Sequence, residues 1–213
     1  MNSLFLALTL SSFFLAFGVS NAEQIKDGFG KAQLPDSSVY EGNFKNWLFN
    51  GRGSLTRRDG ARFEGEFKDG LYNGKGISIA GNGDKYEGEF KYGLPHGKGT
   101  LNFANGDKYE GEFKNGYLNG KGVATRANGD KYEGEFRNHT MHGKGTLNYA
   151  NGKKFEGEFK NGLIQGKGIL TYSNGDLFEG ECRNNFEYCK GLLTYKKDGS
   201  KVECEIKNGR LIQ

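Results

Sequence analysis

A five-residue strip of the form Tyr-Glu-Gly-Glu-Phe returns every 23 residues, beginning at Tyr40, Phe63, Tyr86, Tyr109, Tyr132, Phe155 and Phe178. A degraded copy starts at Val202, one residue late, because Lys196 and Lys197 stand where earlier copies hold a single residue. A Gly-Lys-Gly triplet keeps the same beat, starting at Gly74, Gly97, Gly120, Gly143 and Gly166; the first copy reads Gly51-Arg52-Gly53 and the seventh Cys189-Lys190-Gly191. A fixed short period marks a stacked array in which each unit buries its apolar face against its neighbours. A single closed hydrophobic core is excluded by the same pattern.

Within one repeat the alternation is that of a half-buried strand. Tyr86, Gly88 and Phe90 point one way and Glu87 and Glu89 the other. The chain resumes at Gly97-Lys98-Gly99-Thr100-Leu101, again alternating, and ends on the turn signal Asn105-Gly106. Each repeat therefore reads as one β-hairpin. Pairing Phe90 with Gly97, Gly88 with Gly99 and Tyr86 with Leu101 gathers the apolar residues on one face. That register sets Glu89 opposite Lys98, Glu66 opposite Lys75, Glu112 opposite Lys121, Glu135 opposite Lys144, Glu158 opposite Lys167 and Glu181 opposite Lys190, each pair contributing ~0.2 to 1 kcal/mol. Parity requires an odd connection between repeats, assigned to Asn105-Gly106-Asp107 with glycine left-handed.

Composition narrows the class. The 30 basic and 26 acidic residues alternate along the chain, so no basic stripe marks a nucleic-acid surface. With 17 Phe and 11 Tyr the chain is too aromatic for disorder. Residues 1–22 read as a signal peptide: an uncharged run from Leu4 to Val19 precedes Ser20-Asn21-Ala22, with cleavage after Ala22. The alternative is a retained anchor, but the run is shorter than the roughly 20 residues a span needs. The expected localisation is secreted, periplasmic or secretory-pathway lumen. In a secretory pathway Asn138-His139-Thr140 is the one glycosylation sequon.

A 23-residue hairpin unit of YEGEFKNG, then GKG, then NGDK resembles the membrane occupation and recognition nexus (MORN) repeat. The resemblance runs from Tyr40 to about Gly209, with a half-unit at Gly28-Phe29-Gly30. It implies an all-β fold, an elongated twisted antiparallel sheet of tandem hairpins, here of about fourteen to sixteen strands at the usual spacing. It also implies a role in holding protein segments or acidic phospholipids. The expected organisation is a leader over 1–22, an N-terminal half-repeat and cap over 23–39, seven repeats over 40–200 and a capping strand over 201–213.

Between the paired strips, where the family often carries basic residues, this chain is apolar. Trp47, Leu48 and Phe49 open the row, followed by Leu71 and Tyr72, Tyr117 and Leu118, and Leu163 and Ile164. Read as hairpin tips, they either fold over the sheet end and seal the core or form a greasy edge for a partner. The apolar face is thin at Ser78 and Ala80 and at Ala124 and Arg126, marking either a receptor for a partner's side chain or a shift in register.

The histidines do not form a metal site. His96 and His142 lie four strands apart, roughly 19 Å; His139 and His142 share a tip and could pinch a metal weakly, but without further ligands they read as solvent-exposed loop residues. Every recurring Glu has a Lys opposite it, and no nucleophile has a base beside it, so no enzyme is read and no cofactor is expected. Cys182 and Cys189 face each other across the seventh hairpin and are expected to form a disulfide; three reduced thiols are the alternative. Cys204, placed opposite Leu193 or close to it, is left free.

The reading is an exported, non-enzymatic scaffold that displays an aromatic face or edge to a protein partner. The competing reading is a phospholipid-surface binder that uses the apolar tips. Terminal strands leave backbone edges open to a second copy, with Lys201, Glu203, Glu205 and Lys207 discouraging it at the C-terminal end.

Overall fold

The computed structural model describes residues 25–208 and 210–212; the proposed leader lies outside them. Seventeen strands are present among these residues. They are β1 (Gly28–Gln33), β2 (Val39–Lys45), β3 (Leu48–Thr56), β4 (Arg62–Lys68), β5 (Leu71–Ile79), β6 (Lys85–Lys91), β7 (Leu94–Asn102), β8 (Lys108–Lys114) and β9 (Tyr117–Thr125). There follow β10 (Lys131–Arg137), β11 (Thr140–Asn148), β12 (Lys154–Lys160), β13 (Leu163–Thr171), β14 (Leu177–Arg183), β15 (Tyr188–Thr194), β16 (Lys201–Lys207) and β17 (Arg210–Ile212). Contacts divide the described residues into two units, one up to residue 106 with 112–116, the other 107–111 with those from 117 onward.

The strands pair antiparallel, as the period-2 pattern requires, but the register within a hairpin is not the straight one. In β6 and β7, Tyr86 faces Leu101 and Gly88 faces Gly99, whereas Phe90 faces Pro95 rather than Gly97. The same shift falls between Gly65 and Phe67, and between Gly157 and Phe159. Its cause is the first glycine of each triplet. Gly74 has φ +100°, a left-handed conformation closed to most residues, and it forms the bulge that bends the second strand.

The bend brings the presumed tips back over the rings. Apart from Trp47, which stays in the turn, they are the first residues of the second strands. The ring of Phe49 stacks on Tyr40 and that of Tyr72 on Phe63, each pair at 3.7 Å between centroids. Edge-to-face contacts then link repeats, as between Phe63 and Phe90 at 5.0 Å and between Tyr132 and Phe159 at 4.9 Å. The second triplet glycine is where the ring lies: a Cβ on Gly76 would come within 2.6 Å of Phe63 Cζ. Tyr40, Phe63, Tyr109, Phe155 and Phe178 are essentially fully buried, so the aromatic face is the core of each unit and not a displayed surface.

Turns along both edges tie repeats together. In the bulged hairpins the turns are two residues long, both left-handed, as at Tyr92-Gly93 and Asn161-Gly162, whereas the seventh turn has four, between Arg183 and Tyr188. The second residue of each donates its N–H to the preceding repeat, Gly93 to the Tyr72 carbonyl at 2.9 Å and Gly162 to that of Met141 at 2.9 Å. The inter-repeat loops have three residues, as parity demands, but lie one residue earlier than expected. The Ala80 N–H donates to the Asp84 carbonyl across Gly81-Asn82-Gly83, with the last glycine left-handed. The Asp after the loop accepts from the next loop: Ala104 N–H to Asp84 Oδ1 at 2.7 Å, Ala150 N–H to Asp130 Oδ1 at 2.9 Å.

The bulge also displaces the expected ion-pair ladder. Lys75 stands opposite Glu89, Lys144 opposite Glu158 and Lys167 opposite Glu181, each across the boundary to the next repeat. Inside the hairpin the glutamate instead accepts the lysine's backbone N–H, Glu66 from Lys75 at 3.3 Å and Glu158 from Lys167 at 3.1 Å. Glu181 keeps its expected in-hairpin partner, Lys190. Other lysines pair along their own strand, Lys85 with Glu87 at 3.2 Å and Lys154 with Glu156 at 2.8 Å.

Candidate functional site

On the charged side of the sheet the paired glycines present bare backbone between two rows of side chains. The result is a groove in each unit. In the second it has a volume of about 840 Å³, with Gly145, Gly157, Gly168 and Gly180 as its floor. Lys144, Glu158, Lys167 and Glu181 make one wall, alternating in sign; Thr146, Glu156, Ile169 and Glu179 make the other. In the first unit a groove of about 750 Å³ repeats the design, with Arg52, Glu66, Lys75 and Glu89 on one wall, Glu64, Ile77 and Glu87 on the other, and Phe29 at its edge. Phe29 is 70 % exposed.

The residues expected to form apolar tips separate by strand alternation. Tyr72, Leu118 and Ile164 are buried at 4 %, 5 % and 1 % exposure and belong to the core. Leu48, Phe49 and Leu71 are half-buried. Trp47, Tyr117 and Leu163 remain exposed, with Trp47 at 52 %. Trp47 occupies the second turn position, which is glycine in the second, third, fourth and sixth copies, with φ +68°. Tyr92, in a turn, and Tyr188, at the start of β15, are also exposed.

The thin places do not shift the register, since Ser78 faces Tyr86 and Ala124 faces Tyr132. A cavity of about 30 Å³ lies beside Ser78 and Ala80, bordered by Arg57 and Tyr72, where every other copy but the fourth inserts a leucine. The histidines are not exposed loop residues. His139 is half-buried in a turn, and His96 and His142 sit in strands with their Nδ1 atoms buried. Among the described residues no three His, Cys, Asp or Glu side chains are grouped to hold a metal.

Tyrosine hydroxyls support the bend. Tyr40 donates to the Asn43 carbonyl at 2.8 Å, Tyr86 to that of Glu89 at 2.9 Å and Tyr132 to that of Glu135 at 2.9 Å. Burial pushes the Tyr40 and Tyr132 phenols up to about 12, so these groups do no acid–base chemistry near neutrality.

Cys182 faces Cys189 directly, Cα to Cα 4.1 Å, and the two are joined in a disulfide. Cys204 is the free, buried cysteine. It stands opposite Gly191, while Leu193 faces Val202; the extra Lys197 is absorbed in the loop and leaves the pairing beyond it in phase. At the C-terminal end β16 is not the last strand. It pairs with β17, which exposes Leu211 and Ile212.

Antiparallel hairpins repeating at 23 residues around an inward row of Tyr and Phe rings define a repeat protein of the hairpin-array class. The MORN repeat matches residues 40–62, 63–85, 86–108, 109–131, 132–154 and 155–177, and the chain belongs to the MORN-repeat family. No curated protein matches it. Among solved structures it is similar to the SAS-4 (dCPAP) TCP domain of Drosophila melanogaster, in complex with a proline-rich motif of Ana2 (dSTIL). The identity there is 11 %, over 89 % of this chain and 97 % of that one, with a TM-score of 0.46. It is also similar to a catalytically inactive virginiamycin B lyase from Staphylococcus aureus with quinupristin, at 14 % identity over 89 % and 73 % of the two chains, with a TM-score of 0.18. Likenesses at these scores bear on neither fold nor function.

Proposed function

We propose that this protein is a non-enzymatic scaffold that holds a segment of a protein partner in its charged, glycine-floored grooves. The observation that carries this reading is the groove itself: unobstructed backbone at its floor and fixed charges of both signs on its walls. A peptide of complementary charge gains opposite-sign neighbours along such a wall and is held in register by them. Burial of the aromatic face moves the binding role from that face to the charged one. Export is supported by the uncharged apolar run from Leu4 to Val19.

Affinity capture with the chain lacking residues 1–22 tests the reading, using cross-link mapping to locate the partner. Partner recovery should fall in the Lys144→Glu, Lys167→Glu double variant. Unchanged recovery there, with cross-links only at the hairpin turns, would reject the groove.

A second reading is favoured by the exposed turn-edge side chains Trp47, Tyr117 and Leu163, which suit insertion at a phospholipid surface. Flotation with neutral and anionic liposomes separates the two: binding abolished by Trp47→Ala supports the membrane. N-terminal sequencing of protein made in its own cells tests cleavage after Ala22.

A further inference from the structure

Seven copies of one turn make an internal comparison in which a single titratable side chain stands out. The second residue of each hairpin turn donates its N–H to a carbonyl on the preceding repeat. The turn residue is glycine at Gly70, Gly93, Gly116 and Gly162, which offers no side-chain acceptor to the preceding repeat. In the third repeat the preceding residue is Pro95, which has no N–H to donate. Two copies supply an acceptor. Asn185 donates its N–H to the Ile164 carbonyl at 3.2 Å and takes the Ile164 N–H on Oδ1 at 2.8 Å. His139 donates its N–H to the Leu118 carbonyl at 3.1 Å and takes the Leu118 N–H on Nδ1 at 3.3 Å.

We propose that His139 is a pH-sensitive latch, tying the turn of the fifth hairpin to the second strand of the fourth and releasing it in acid. A neutral imidazole has one ring nitrogen with a free lone pair; an imidazolium has none, and both its nitrogens donate. Protonation therefore sets an N–H against the Leu118 N–H and breaks one side of the two-bond clasp. The residue is held at φ +67°, a conformation uncommon outside glycine though less so for His, Asn and Asp, and its ring packs on Tyr117 at 4.9 Å between centroids. Loss of the clasp leaves that strain uncompensated. Asn185, in the same place two repeats on, does not titrate.

Burial lowers the His139 pKa from its ordinary 6.5. The folded state thus favours the neutral ring, and the latch is complete above the ordinary value and lost as pH falls through the lower, folded one. Of titratable and charged groups, Tyr117 from β9 packs on the ring, and Arg137 at the end of β10 and His142 near the start of β11 flank it in the chain.

Amide hydrogen exchange on the full chain tests the latch, with intrinsic rates corrected for pH and the Ile164 amide as internal reference. Between pH 7.5 and pH 5.0 the protection of Leu118 should fall relative to Ile164 by roughly tenfold, the effect of one lost hydrogen bond. In His139→Asn the ratio should stay constant. Should that variant not fold, the imidazole resonances of the wild-type protein decide: titration of His139 below 6.5, in step with the Leu118 amide, supports the latch. Parallel behaviour of the two amides, or titration of His139 at or above its ordinary value, overturns it.

Discussion

The sixth and seventh hairpins have the same aromatic-glycine opening and differ in one decisive residue. In β12 and β13 the triplet begins with Gly166, at φ +122°, and the strand bulges so that Phe159 faces Ile164. In β14 and β15 that place is Cys189, and pairing runs straight from Gly180 and Gly191 through Glu181 and Lys190 to Cys182 and Cys189. A cysteine cannot take the left-handed conformation cheaply, so no bulge forms. Among the described pairings, the straight register assumed from sequence for every copy is realised where the triplet glycine is lost. The comparison shows that the bend is written in that first glycine, and that its absence aligns the two sulfurs.

The largest expected effect lies in the bent hairpin. Phe159 is 3 % exposed and packs between rings, so Phe159→Ala should cost ~3 to 5 kcal/mol in urea melts. A loss below ~1 kcal/mol would place the ring outside the core. In the straight hairpin, Cys182→Ser removes the crosslink across a sequence separation of 7. It should cost about 2 to 3 kcal/mol under oxidising conditions, as expected for a short closed loop, and little under reducing ones. Non-reducing peptide maps showing Cys182 linked to Cys204 would break the comparison.

Adding a side chain at the bulge tests its cause. Gly166→Ala should cost about 1 to 2 kcal/mol, the penalty of a left-handed non-glycine, whereas Gly157→Ala meets Gly168 Cα at 2.7 Å and should cost more through a clash with fixed backbone. Equal tolerance of both substitutions would mean the bulge is set elsewhere. The smallest effect belongs to the charged face. Lys167 is exposed, so Lys167→Ala should change stability by less than ~1 kcal/mol. A larger loss matched by Glu181→Ala, with the double variant no worse, would reveal a coupled pair across β13 and β14.

What the sequence determined by itself was periodic: the 23-residue unit, the hairpin in each unit, the ring-on-glycine contact and the parity of the inter-repeat loops. Alternation in strands has a period of two, so the face of Tyr86, Gly88 and Phe90 follows from local pattern alone. The Cys182 and Cys189 juxtaposition was legible for the same reason, since cysteine leaves only the straight register there. The tertiary structure decided where the register shifts. A glycine that admits a flat ring and a glycine that turns left-handed are the same letter, and Gly97 and Gly99 are told apart only when Phe90 chooses Pro95. From that choice follow the burial of Tyr72, Leu118 and Ile164, the transfer of lysines to glutamates of the next repeat, and the groove on the charged face. Each depends on bending one strand against its neighbour, a property of paired backbones that no single strand's alternation encodes.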